Sequence, residues 1–138
     1  MEGIAELTAD QCWERLRSEQ LGRLAMCAGG EIDIFPINFV VDGQSLVFRT
    51  APGTKLVETV IASEVALEID GFTEQDAWSV VAKGPAQRLE QQDEIDAADR
   101  LPLRPWAPTL KYTYVRITPA HVTGRAFVRG PEPDRGMF

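Results

Sequence analysis

The chain has 138 residues, 44% of them apolar and 25% charged, with a formal net charge of −7. That is enough for one hydrophobic core and too little for two catalytic lobes. The longest apolar runs, "FVV" and "SVVA", are too short to cross a bilayer, and the N-terminus lacks the charged-then-apolar pattern of a signal peptide; a cytoplasmic protein with no membrane partner is expected.

Charge is unevenly spread. Residues 1–99 hold 7 basic and 19 acidic side chains, net −12, and residues 100–138 hold 7 basic and 2 acidic, net +5. The acidic bulk argues against a nucleic-acid partner, which calls for a basic footprint, while the basic third suits a small anionic ligand or the acidic part of a second subunit. Cys12 and Cys27 have no CxxC spacing, and His121 is the only histidine. No metal site or disulfide is therefore expected, and both thiols are read as buried and free.

In chain order, "TADQCWERLRSEQ" starts with Thr8 and has Gln11 three residues on, a capping box that opens an amphipathic helix with Cys12 and Leu16 on one face and Trp13 beside them. From Leu21 the period changes to two. "LGRLAMCA" is a strand, Gly29-Gly30 a hairpin turn, and "EIDIFPINFVV" the returning strand. Ile32, Ile34, Pro36 and Asn38 share one face of it, and Asp33, Phe35, Ile37 and Phe39 the other. Pro36 cannot donate to a ladder and marks an edge or a bulge. Asp42-Gly43 turns the chain into "SLVFRT".

Next comes "FRTAPGTKL", residues 48–56, a strand end followed by a turn at Pro52-Gly53 and a restart at Thr54 and Lys55. If Thr54 opens a helix, Lys55 sits in its first turn, at the wrong end of the macrodipole for a cation. The turn is either ordinary, with a solvated Lys, or an anion cradle of free N–H groups, a hydroxyl and one or two cations. Leu56, Val57, Val60 and Ile61 continue at helical spacing. "EVALEIDGF" and "AWSVVAKGPAQRLE" are two more strands, and "QQDEIDAADRL" is a helix with acids near its start. A Pro-rich loop containing Trp106 leads to the strands "KYTYVRIT" and "HVTGRAFV". The result is a mainly β fold with flanking helices, in which a six- to seven-stranded antiparallel sheet closes to remove its edges. One domain is expected over residues 1–127, with a loosely ordered tail over 128–138.

The runs "FPINFVVDGQSLVFRTAPGTKL", "WSVVAKGPA" and "VRITPAHVTGRAF", in that order, resemble the pyridoxamine 5'-phosphate oxidase-like family of FMN-binding split β-barrels. The resemblance spans about residues 7–127 and implies a homodimer with FMN at the subunit interface. By position it implies that Pro36, Ile37 and Asn38 lie along the isoalloxazine edge. Phe48, Arg49 and Thr50 would line the ribityl and phosphate side, Thr54 and Lys55 would hold the phosphate, and Trp78 and Ser79 would contact the ring. From the residues alone, Asn38 is read as a ring contact in preference to a residue that bonds a bulge at Pro36, and Trp78 equally suits core or interface packing. His121 reads as exposed and inert. The family's C-terminal Arg and His grip is absent from "HVTGRAFVRGPEPDRG", where Arg125 stands without a partner, so oxidation of pyridoxamine phosphate is not expected. The implied activity is hydride transfer from flavin to another small acceptor. A deazaflavin (coenzyme F420) reductase and a non-enzymatic flavin- or haem-binding module are the alternatives.

Overall fold

The computed structural model describes residues 4–51, 64–106 and 112–130. Along these the chain runs β1 (Ile4–Glu6), α1 (Ala9–Ser18), β2 (Leu21–Ala28), β3 (Glu31–Asp42), β4 (Ser45–Thr50), β5 (Glu64–Phe72), β6 (Asp76–Arg88), α2 (Gln92–Asp99), β7 (Thr113–Ile117) and β8 (His121–Val128). Thr54, Lys55, the helix expected around them and residues 131–138 lie outside the described residues.

Every strand pairing is antiparallel, in the order β1-β8-β6-β5-β2-β3-β4-β7. A further β6–β7 pairing closes the six strands from β6 to β7 into a barrel, with β8 and β1 added outside the ring. The two longest strands make the split. In β3, residues 31–38 pair with β2 and Phe39–Asp42 with β4; in β6, residues 76–83 pair with β8 and Ala86–Arg88 with β7. Pro36 falls on the half of β3 that pairs on one side only, as its missing donor requires.

Local chemistry sets these elements where the sequence predicts. Thr8 N–H donates to Gln11 Oε1 at 2.9 Å and Gln11 N–H to Thr8 Oγ1 at 3.2 Å, completing the capping box of α1. Gly29 (φ 59°) and Gly30 (φ 82°) supply the two left-handed positions of a tight hairpin between Ala28 and Glu31. One strand was not legible: β1, only three residues long, is held by register with β8 and carries no period of its own. The start of the expected tail is also tied down, since Val128 ends β8 and Arg129 N–H donates to Gln75 O at 2.7 Å.

The main core fills the barrel and the space under α1. Cys12, Trp13 and Leu16 of α1 pack with Leu24, Phe39, Phe48, Leu67, Ile69, Val80, Val115 and Ile117. A smaller cluster of Val47, Leu89, Ala98 and Tyr114 lies where α2 covers the opposite face of β4 and β7. Alternation corrects one expectation: Gly22, Leu24 and Met26 point inward along β2, so Cys27 points outward and is exposed, while Cys12 is buried. Burial pushes the Cys12 thiol pKa up.

Candidate functional site

Strand alternation sorts the residues that the sequence marked for a ligand. Ile37, Phe48 and Trp78 are 8%, 0% and 9% exposed and belong to the main core. Contacts from Ile37 and Phe48 to a bound molecule would therefore run through their backbone. Trp78 lies against Gly71, where an added Cβ would meet the indole at 2.8 Å, and the Arg15 guanidinium stacks 4.8 Å from its ring centroid. Thr50 is partly exposed at the end of β4, opposite Thr113.

Pro36, Asn38 and Arg49 have the opposite parity and lie on the outer face. Asn38 is held on both sides of its amide: Nδ2 donates to Gln20 O at 3.3 Å, and Oδ1 accepts from Trp106 N–H at 2.9 Å. It thus ties the start of β2 to the segment after α2 and places the exposed Trp106 ring on the same face. Beside Pro36, its cross-strand partner Arg23 donates from Nε to Glu68 at 2.8 Å and from Nη2 to Asp70 at 2.7 Å. Glu68 nonetheless has a raised pKa, through burial first and its hydrogen bond with Asp70 second.

Arg49 has the most informative surroundings. It lies one residue before the end of β4, opposite Tyr114; its guanidinium carbon lies 4.3 Å from the centroid of the Tyr112 ring, and its buried Nε–H has no hydrogen-bond partner among the described residues. Tyr112 and Tyr114 meet edge to face at 5.2 Å and donate from their hydroxyls to one oxygen, Asp99 Oδ1, at 3.0 and 2.7 Å. The sequence reading missed this assembly. Its one local signal is an acid in the last turn of α2, where a negative charge opposes the helix dipole and needs another reason to be there.

Burial, and then the Asp99 carboxylate, raise the Tyr114 phenol pKa well above its usual range. The unfolded chain releases this proton near pH 10 and the folded chain holds it longer, so stability falls as pH rises above about 10, by up to ~1.4 kcal/mol per unit. Melting temperatures from pH 8.5 to 11 should drop more steeply for the native chain than for Tyr114→Phe; parallel curves would show that the phenol is not the cause.

Ser79 also points outward, but from β6, which β5 and β2 separate from β3. Along the curved sheet it is three strand spacings, roughly 14 Å, from the Asn38 strand. It lies in a groove of about 700 Å³ between β1, β6 and β8, lined also by Glu6, Val81, Thr123 and Arg125. One chain therefore sets Pro36, Asn38 and Arg49 on the outer face of the neighbouring strands β3 and β4 and leaves Ser79 and Trp78 on β6. His121 is exposed at the start of β8. Among the described residues no group of His, Cys, Asp and Glu is placed to hold a metal ion, and no helix is long and apolar enough to cross a membrane.

The family model described as pyridoxamine 5'-phosphate oxidase matches residues 8–126. A solved structure from Corynebacterium glutamicum, provisionally assigned as a pyridoxamine 5'-phosphate oxidase, superposes with a TM-score of 0.87 at 42% identity, covering 96% of this chain and 98% of its own. An FAD-binding protein from Mycobacterium smegmatis is 40% identical with a TM-score of 0.83, over 91% of this chain and 100% of that one. An uncharacterized protein of Mycobacterium tuberculosis is 44% identical over 98 residues, 71% of this chain and 89% of its own.

Proposed function

This chain belongs to the pyridoxamine 5'-phosphate oxidase-like family, and from that premise we propose that it is a flavin-nucleotide-dependent oxidoreductase, with FMN as cofactor, acting as a homodimer. The observation that carries the reading is Arg49. A buried guanidinium N–H without a partner costs about 1–3 kcal/mol, and an anionic group at the outer face would satisfy it. Pro36 and Asn38 lie on the same face and suit the edge of a flat heteroaromatic ring. When bound, flavin would supply hydride transfer to a small acceptor.

Homodimerisation rests on two features of the outer face. Ile32 and Ile34 are 75% and 64% exposed on the half of β3 that has one unpaired edge, an apolar stripe that a second copy would cover. Ser79 lies on the half of β6 that pairs with β8, away from the residues of β6 that reach β7 and, through it, β4 and Arg49; a partner's outer face would bring such a residue to the ligand. FAD is the second reading, favoured by the 40%-identical FAD-binding protein; its phosphates would use the same guanidinium.

Pyridoxamine phosphate is not the proposed substrate. Arg125 faces Glu6 across the β1–β8 ladder, so its groove is charge-balanced and makes a poor seat for a dianion. A flat, weakly charged acceptor such as a quinone or nitroaromatic compound suits the outer face better.

Three measurements test the proposal together: the absorption spectrum of the purified protein, mass spectrometry of the released ligand, and light scattering. A yellow protein that releases FMN, at about twice the chain mass, is expected. Blue fluorescence without flavin absorbance would point to a deazaflavin, and a monomer that titrates with neither FMN nor FAD would overturn the reading.

A further inference from the structure

We propose that Asp99 and Tyr112 are positioning residues for Arg49, fixing the place of its guanidinium so that the site selects a flavin carrying phosphate over one without it. This rests on the flavin reading above. The chain of contacts is continuous. Asp99 Oδ1 accepts from both phenols, at 3.0 Å from Tyr112 and 2.7 Å from Tyr114, so one carboxylate oxygen fixes two rings that also touch edge to face. The Tyr112 ring then supports the Arg49 guanidinium at 4.3 Å.

Three physical consequences follow. A guanidinium held over a ring face has its approach blocked from that side, which narrows the directions from which an anion is gripped. A phenol that donates to a carboxylate has a more electron-rich ring, which strengthens its hold on the cation. Asp99 bonds the Tyr112 hydroxyl while Arg49 packs over the ring, and the two charges form no direct ion pair, so Asp99 orients the cation through the ring. This arrangement accounts for an acid in the last turn of α2, where the helix dipole disfavours it.

The test pairs a ligand-free readout with a binding ratio. In ¹H–¹⁵N spectra of the uniformly labelled protein, the Arg49 Nε–H signal, assigned by its loss in Arg49→Lys, should be displaced by the ring and exchange slowly. In Asp99→Asn, whose neutral amide holds the phenols less strongly, that signal should move toward the position of an unstacked arginine and exchange faster. The ratio of FMN to riboflavin affinity should fall about tenfold, the scale of a cation–π contact. Tyr112→Phe keeps the ring and the Tyr114 bond and should show a smaller change of the same kind, so a poorly folded Asp99→Asn does not end the test. An unmoved Nε–H signal, or equal loss of FMN and riboflavin affinity in both variants, overturns the proposal. Should the native protein bind neither flavin, the flavin reading fails separately. Inorganic phosphate then serves as the probe: a native Nε–H response absent in Asp99→Asn supports positioning, and an identical response in both overturns it.

Discussion

Phe48→Ala should lower the free energy of unfolding by about 3–5 kcal/mol, the range for deleting a fully buried aromatic ring. Phe48 is 0% exposed, and its strand neighbours across the ladders are Phe39 and Val115, both core residues. Two features keep the cost at the upper end. The six strands that surround this position are hydrogen-bonded into a closed ring, so no strand can move inward to fill the hole without breaking ladder bonds. Its cross-strand neighbours Phe39 and Val115 are themselves 3% and 0% exposed, so they have little freedom to repack. Urea unfolding at neutral pH reads the effect as a shift in midpoint at unchanged slope. A loss below about 1 kcal/mol would mean that the barrel collapses around the vacancy and is softer than its pairing implies.

Phe48 also shows why the fold was more legible than the site. Alternation, the Gly29-Gly30 turn and the Thr8–Gln11 box are local signals, and each produced the element it predicted. A ligand contact inferred from a continuous motif conflicts with the same alternation. In "PIN" and "FRT" successive side chains leave the strand on opposite faces, so Ile37 and Phe48 enter the core while Pro36, Asn38 and Arg49 face out. Trp78 and Ser79 part company in the same way. Cys27 was misjudged because its hydrophobicity was weighed without the parity that Leu24 and Met26 had already fixed. Other features had no local trace. Arg23 meets Glu68 across 45 residues through the β2–β5 ladder, and Asn38 meets the Trp106 backbone across 68, contacts that only the assembled fold creates. The Asp99 assembly joins a helix end to β7 across 13 and 15 residues, and a misplaced charge was its sole sequence-level sign.

Arg49→Ala should weaken FMN binding by about 1.5–3 kcal/mol, the scale of a charge-assisted hydrogen bond removed, equivalent to roughly ten- to 150-fold in Kd. Riboflavin, which lacks the phosphate, should lose much less. Arg49→Lys should recover only part of the loss, because an ammonium lacks the planar fork of the guanidinium that packs over Tyr112. The ligand-free protein supplies a second sign. The buried Nε–H has no partner among the described residues, so removing it should leave the stability of the apoprotein unchanged or slightly higher. A structural arginine would give the opposite result, a drop in apoprotein stability with equal losses for both flavins. The two measurements together, FMN against riboflavin titration and the melting temperature of the apoprotein with and without saturating FMN, separate an anion-binding residue from a packing one. A native chain whose melting temperature FMN does not raise, or an Arg49→Ala chain in which FMN raises it equally, would remove Arg49 from the site. The same sign, weaker binding with a firmer empty protein, is expected wherever a donor is held ready for an absent anion, because the strain that the ligand relieves is present in the free protein.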